Sequence, residues 1–249
     1  MKKLTRLSTY FSLWIYFCSC STFSSLKDHP IPPVEPTSCS PVSGIVACYS
    51  FSGGVNDDSG NNNTARLVGA TPTADRYGNA SSAYSFTGNS YIELPSNKFN
   101  SEEFTYAAWV KPSRLLQQGD VFTILNTGSE YGDHAMVLAK TSVLGWGMWS
   151  YLDNRGHSEF AYSGVLPTDT NQWYHVLASR SKDMLYIYVN GSLSASQKMS
   201  GKPFYEGNVR TLIGQRFDGS ASFIGSIDEV KLYNRALNAQ EAKQIYDMN

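Results

Sequence analysis

Charge is scarce in this chain. Charged residues make up 16% of its 249 residues, and 20 lysines and arginines face 21 aspartates and glutamates, a net charge of −1. A surface that reads a phosphate backbone needs a basic excess, so nucleic acid is excluded as a partner. Disorder driven by charge is excluded for the same reason. Cysteine is scarcer still: four residues with no Cys-x-x-Cys pair, which removes a thiolate zinc centre. No apolar run is long enough to span a bilayer. Gly-x-Ser-x-Gly and His-Glu-x-x-His are absent, so neither a serine-hydrolase elbow nor a zinc-protease helix is encoded.

What is present is aromatic and β-rich. Aromatics are 13% of the chain, with 16 tyrosines, ample material for a core of strands. The N-terminus reads as an export signal over residues 1–20: Lys2, Lys3 and Arg6 precede the apolar stretch 13–17, and Ser19 precedes Cys20. Loss of those three basic residues takes the net charge from −1 to −4. Phe17-Cys18-Ser19-Cys20 resembles a bacterial lipobox, with Cys20 as the lipidation acceptor; plain cleavage is the alternative. The protein is thus expected to be secreted or held at a bacterial cell envelope, with membrane attachment only through that lipid. Residues 21–43 carry five prolines among Ser and Thr and read as a tether. Cys39 and Cys48 remain after export and form a natural disulfide pair in an oxidising compartment.

From 44 to 249 one domain is expected. Short runs with strand character at 45–51, 90–94, 104–110, 121–125, 135–140, 144–151, 173–180, 184–189, 210–215 and 226–233 are separated by Gly, Asn and Asp. Asn190-Gly191 is the strongest hairpin signal, since both residues tolerate positive φ. Only 239–246 reads as helix, with Asn238 and Glu241 at capping-box spacing. The pattern predicts an all-β, two-sheet antiparallel sandwich with a short C-terminal helix.

Three stretches carry a family resemblance. They are Asn56-Asp57-Asp58-Ser59-Gly60-Asn61; Tyr84-Ser85-Phe86-Thr87-Gly88 with Phe104-Thr105-Tyr106-Ala107-Ala108-Trp109; and Gln172-Trp173-Tyr174-His175-Val176 with Tyr188-Val189-Asn190-Gly191 and Ile227-Asp228-Glu229-Val230. In this order they resemble the laminin G-like, pentraxin-like branch of the concanavalin A-like jelly rolls. The resemblance implies a jelly-roll sandwich that hosts lectins, adhesins and enzymes alike. It places Trp109 and Trp173 in packing roles. Hydrolases of this superfold use a Glu-x-Asp-x-x-Glu strand motif, which is absent here, so a non-catalytic module is expected.

Asp228 shares parity with Val230 and Leu232, so its carboxylate is expected to face inward and to need a partner. No Lys or Arg stands out in the sequence as that partner. The resemblance suggests structural Ca²⁺ held by Asp57, Asn61 or Asn63, and Asp228, a hard-oxygen set suited to that ion. Where the family usually has Gly-x-His-Gly after the Asn, this chain has Asn62-Asn63-Thr64-Ala65, a departure within the expected ligand loop. The alternative is a polar turn closed by its own hydrogen bonds.

Sugar recognition needs aromatic faces beside planar polar groups. The best candidates are Tyr131, Asp133, His134, Trp149, Tyr151, Asn154 and His157, with Arg216, Phe217 and Asp218 as a second loop. Gly145 and Gly147 beside Trp149 leave room for a ring or a backbone. Ordinary packing of Trp149 and Tyr151 is the alternative, and Trp146 reads as core. The expected partner is a glycan, or a cell-surface protein if no sugar site exists. A polysaccharide lyase using Tyr131, His134 or His157 as acid or base is the remaining reading.

Overall fold

The computed structural model describes residues 39–142, 144–153 and 155–248. The leader 1–20, Cys20, most of the tether and Asn154 lie outside the described residues.

Fifteen strands and one helix follow in order: β1 (Ile45–Tyr49), β2 (Arg66–Val68), β3 (Thr71–Thr73), β4 (Ala83–Thr87), β5 (Tyr91–Leu94), β6 (Phe104–Pro112), β7 (Asp120–Ser129), β8 (Gly132–Lys140), β9 (Leu144–Tyr151), β10 (Ser158–Tyr162), β11 (Tyr174–Arg180), β12 (Met184–Val189), β13 (Ser192–Lys198), β14 (Arg210–Ile213), β15 (Ile224–Tyr233) and α1 (Ala239–Met248). One sheet runs β13-β12-β11-β6-β15-β4-β3, with β1 also paired to β15. The other runs β10-β9-β8-β7-β14-β5-β2. The ladders are antiparallel. This is the two-sheet sandwich the sequence predicts. Strands β2, β3, β4, β10 and β13 are additions to it.

Period-two alternation sorts the side chains. Phe104, Tyr106, Ala108 and Val110 of β6 point between the sheets and meet Met136, Leu138, Trp146 and Met148 from the other layer. Their neighbours Ala107, Leu177, Tyr188 and Tyr233 point outward and are covered by Leu237, Ala242 and Ile245 at and within α1. The helix therefore caps one sheet. Its first turn is closed as predicted: Asn238 N–H donates to Glu241 Oε2 at 2.9 Å, and Glu241 N–H to Asn238 Oδ1 at 3.0 Å. Cys39 and Cys48 form the expected disulfide on the same side. The other sheet presents its outer face without a covering helix among the described residues.

The expectation that Asp228 follows Val230 and Leu232 into the core is corrected. A β-bulge interrupts the ladder between Asp228 and Lys231, with Glu229 at φ 50°. The extra residue resets the alternation. Ile227, Val230 and Leu232 face the core, while Asp228 lies opposite Trp109 on the helix side of the sheet.

Candidate functional site

On the uncovered sheet, β7, β8 and β9 bring together one polar centre and several rings. Asp133, the second residue of β8, lies opposite Gly128 of β7, where a Cβ would lie 2.2 Å from that of Asp133. Only glycine leaves the carboxylate its place. Asp133 is fully buried. Its Oδ2 accepts from Asn126 Nδ2 at 2.7 Å, Trp149 Nε1 at 3.2 Å and Arg216 Nε at 3.0 Å. Its Oδ1 accepts from Arg216 Nη2 at 3.3 Å.

Arg216 comes from the turn after β14. Its Nη1 donates to Asp218 Oδ2 at 3.2 Å, and the guanidinium lies 5.0 Å from the Phe217 ring and 5.9 Å from the Trp149 ring. Burial disfavours its charge, but the Asp133 bonds outweigh this and hold its pKa above the ordinary value. Asn126 Oδ1 accepts the Phe217 N–H at 3.0 Å and fixes the turn over the sheet.

The rings extend outward from this centre. Trp149 and Tyr151 are half-buried on β9, and Tyr151 packs over Gly132. Phe160 of β10, 50% exposed, lies opposite Trp149 in the ladder, and Tyr162 lies opposite Gly147. A Cβ at Gly147 would be 2.3 Å from Tyr162 Cδ1, so that glycine admits a ring. At Gly145 a Cβ would meet Val165 O at 2.3 Å, so that one admits a backbone. Further along the same face Glu93 is shared by Arg210, with Nε to Oε1 at 2.8 Å, and by Arg66. Three arginines and three carboxylates thus compensate one another across this face.

The structure joins Asp133, Trp149 and Arg216, with Tyr151 beside them. Tyr131 stands exposed at the same end, against Gly207. His157 stands on the exposed β9–β10 turn, its N–H bonded to Asp153 Oδ1 at 3.2 Å. Its contacts are with that turn and not with the Asp133 centre. His134 is corrected: strand parity turns it into the interior, where it is fully buried. Its Nε2–H donates to Phe204 O at 3.1 Å, and Ser150 Oγ bonds Nδ1 at 2.8 Å while accepting from Arg180 Nε at 3.1 Å. Burial lowers its pKa to about 3. With both nitrogens engaged and no access, it reads neither a sugar nor a proton-transfer site. Trp146 is core, as expected.

Sequence reasoning missed Phe160, Tyr162, Asn126 and the Glu93 pair. Ser158–Tyr162 alternates two rings with Ala161, which is a strand signal, though a short one. The Glu93 and Asn126 contacts join distant strands and leave no local pattern.

The proposed calcium ligands do not assemble into one shell. Asp57 Oδ1 accepts the Cys48 and Ser59 N–H groups, both at 3.0 Å, and Oδ2 accepts Asn63 N–H at 2.8 Å. Three N–H dipoles aimed at one carboxylate oppose a cation there. Asn61 Nδ2 donates to Ile45 O at 3.2 Å and Asn63 Nδ2 to Val46 O at 2.7 Å. Asn63 Oδ1 is the one oxygen of the set left buried without a partner. Asp228, on the helix side, is ion-paired to Arg76 at 3.0 Å. Among the described residues no cluster of three His, Cys, Asp or Glu side chains could hold a metal. The donor set does not fit the ion.

Comparison with known proteins agrees with this architecture. No curated protein matches by sequence. Domain 4 of AbnA, an extracellular arabinanase from Geobacillus stearothermophilus, solved in complex with arabinotriose, superposes with TM-score 0.68 at 21% identity, over 81% of this chain and 98% of that one. The binding domain of botulinum neurotoxin DC, in complex with SialylT, gives 0.61 at 10% identity, over 83% of this chain and 52% of that one. The binding domain of Paraclostridial mosquitocidal protein 1 gives 0.59 at 18% identity, over 82% and 52%. At these identities the likeness shows the fold. A family model described as concanavalin A-like lectin/glucanases superfamily matches residues 86–243, so the chain belongs to that family.

Proposed function

We propose that this protein is an exported, non-catalytic binding module that takes an uncharged glycan on the outer face of its seven-stranded sheet. The observation that carries the reading is the Asp133–Arg216 centre, framed by Trp149, Tyr151 and Phe160. Rings cover the apolar faces of a sugar, while a fixed guanidinium with N–H groups to spare reads hydroxyls. The compensated charges favour a neutral ligand, since an anionic sugar would need a cation that is not already paired. The arabinotriose complex of the AbnA domain supports a neutral sugar on this fold. Asp133 is saturated with donors and Asp218 is held low by its Ser220 and Arg216 bonds, which supports binding over acid–base chemistry. The Cys39–Cys48 disulfide supports an oxidising compartment, and with the basic, apolar leader supports export, with Cys20 as lipid acceptor.

The test is calorimetric titration of the purified chain with neutral oligosaccharides (arabinan, xylan and glucan fragments) and with sialylated and uronic-acid oligosaccharides. A neutral sugar should bind, and Trp149→Ala should weaken it about tenfold or more, with a fall in Tm from the hydrogen bond lost at Asp133; Phe160→Ala, whose exposed ring makes no such bond, should weaken binding with Tm nearly unchanged. Binding of acidic sugars alone would refute the neutral ligand. Binding of no glycan would leave protein recognition as the better reading.

A further inference from the structure

We propose that the cation at the Asp228 position is the chain's own: Arg76 is the resident ligand of a cation site formed by Asp228, Trp109 and Tyr77, and it takes the place of a metal ion. Arg76 sits in the loop between β3 and β4. That loop is shaped by Asp75, whose Oδ1 accepts the Tyr77 and Asn79 N–H groups at 2.8 and 2.9 Å. The turn aims the guanidinium at the last strand, 152 residues away in sequence.

There it meets three partners. Nη1 donates to Asp228 Oδ2 at 3.0 Å, and the guanidinium carbon lies 4.5 Å from the Tyr77 ring and 4.7 Å from the Trp109 ring. The ion is therefore held between two π-faces as well as by a carboxylate. Both charged side chains are withdrawn from water, with 10% of Arg76 and 3% of Asp228 exposed. The second Asp228 oxygen accepts the Glu229 N–H at 2.7 Å. The bulge that supplies this N–H is also what turns Asp228 toward Trp109.

A divalent ion would need several more oxygen ligands, and the neighbouring carboxylates already hold donors. Asp58 and Glu229 line the same open cavity of about 570 Å³ beside Arg76. Asp58 Oδ2 accepts from Ser50 Oγ at 2.6 Å, and Glu229 Oε2 accepts from Lys231 Nζ at 2.5 Å. A planar cation that stacks as well as pairs suits what remains: one carboxylate and two rings. Arg76 Nε is buried without a protein acceptor. A site that holds its ion mainly by ring faces and one carboxylate accounts for that unspent donor.

The experiment is thermal melting of the whole protein at about pH 8, with and without EDTA and with added CaCl2. The wild-type Tm should be unmoved by either addition, and elemental analysis should find no stoichiometric calcium. Arg76→Ala leaves a buried carboxylate alone and should lower Tm by about 5–15 °C. The double variant Arg76→Ala/Asp228→Asn removes the stranded charge and should recover part of that loss. A wild-type Tm that falls in EDTA and returns with calcium would overturn the proposal. So would an Arg76→Ala protein that melts like wild type, or a double variant no more stable than the single one. None of these readings depends on glycan binding.

Discussion

At the scale of single residues, Asp133 decides most. Its carboxylate receives four hydrogen bonds from three side chains, and the strand pairing that buries it depends on the missing side chain of Gly128. Breaking a buried pair by removing one partner costs ~3–5 kcal/mol. Arg216 remains partly solvated and keeps Asp218, which places Asp133→Ala near the bottom of that range. The expected outcome is a loss of about 3 kcal/mol in urea unfolding together with loss of glycan binding. Asp133→Ala at wild-type stability would show that the centre is ornamental to the fold. Arg216→Lys separates charge from shape: a lysine can balance Asp133 but cannot span both its oxygens.

At the scale of elements, the Glu229 bulge shows how two effects of opposite sign are weighed. A non-glycine residue at φ 50° costs ~1–2 kcal/mol, so Glu229→Gly relieves backbone strain. The same change takes one carboxylate from Lys231, whose side chain is 1% exposed, and losing one charge-assisted hydrogen bond of a buried ammonium that keeps another interaction costs more, about 1.5–3 kcal/mol. The variant should therefore be destabilised, by about 1 kcal/mol in chemical denaturation; a stabilised variant would show that the ion pair contributes little. The bulge also marks the limit of what could be read in advance. Phe104 and Tyr106, and Leu185 and Ile187, each two residues apart, share the inner face of their strands, because uninterrupted strands obey period two. Parity failed at Asp228 because the interrupting residue is a glutamate, and glutamate carries no signal for a left-handed backbone. The capping box at Asn238 was legible because both partners lie within four residues. The Arg76–Asp228 pair was not, because only the folded loop brings them together. Of the candidate residues named from side-chain chemistry, Asp133, Trp149 and Arg216 are the ones the fold brings into contact. His134 was misplaced because its strand's inner and outer faces both carry small or apolar residues, so alternation there cannot tell inside from outside.

At the scale of the whole molecule, burial of titratable groups sets how stability responds to acid. Burial lowers the pKa values of His134 and His175 to about 3, with nearby Arg180, and Lys231 and Arg76, acting in the same direction. Burial and the Glu229 carboxylate push Asp228 up to about 7, against the pull of Arg76. In an unfolded chain a histidine titrates near ~6.5 and an aspartate near ~3.9. Between about pH 5 and 6, above the range in which Glu93, Glu241 and the aspartates held low by their own bonds also titrate, the unfolded state therefore binds close to two protons, at the histidines, that the folded state refuses. The folded state binds one, at Asp228, that the unfolded state lacks. The unfolded state holds a net excess of one proton, so stability falls as pH falls, by ~1.4 kcal/mol per pH unit. Urea unfolding measured across that window should show a slope near this value. His134→Gln removes one of the two refused protons and balances the remaining histidine against Asp228, so its profile should be nearly flat over the same range. A variant profile as steep as that of the wild type would mean that His134 takes up its proton inside the fold. The Arg180–Ser150–His134 chain would then have to open below pH 6.5 to let it do so.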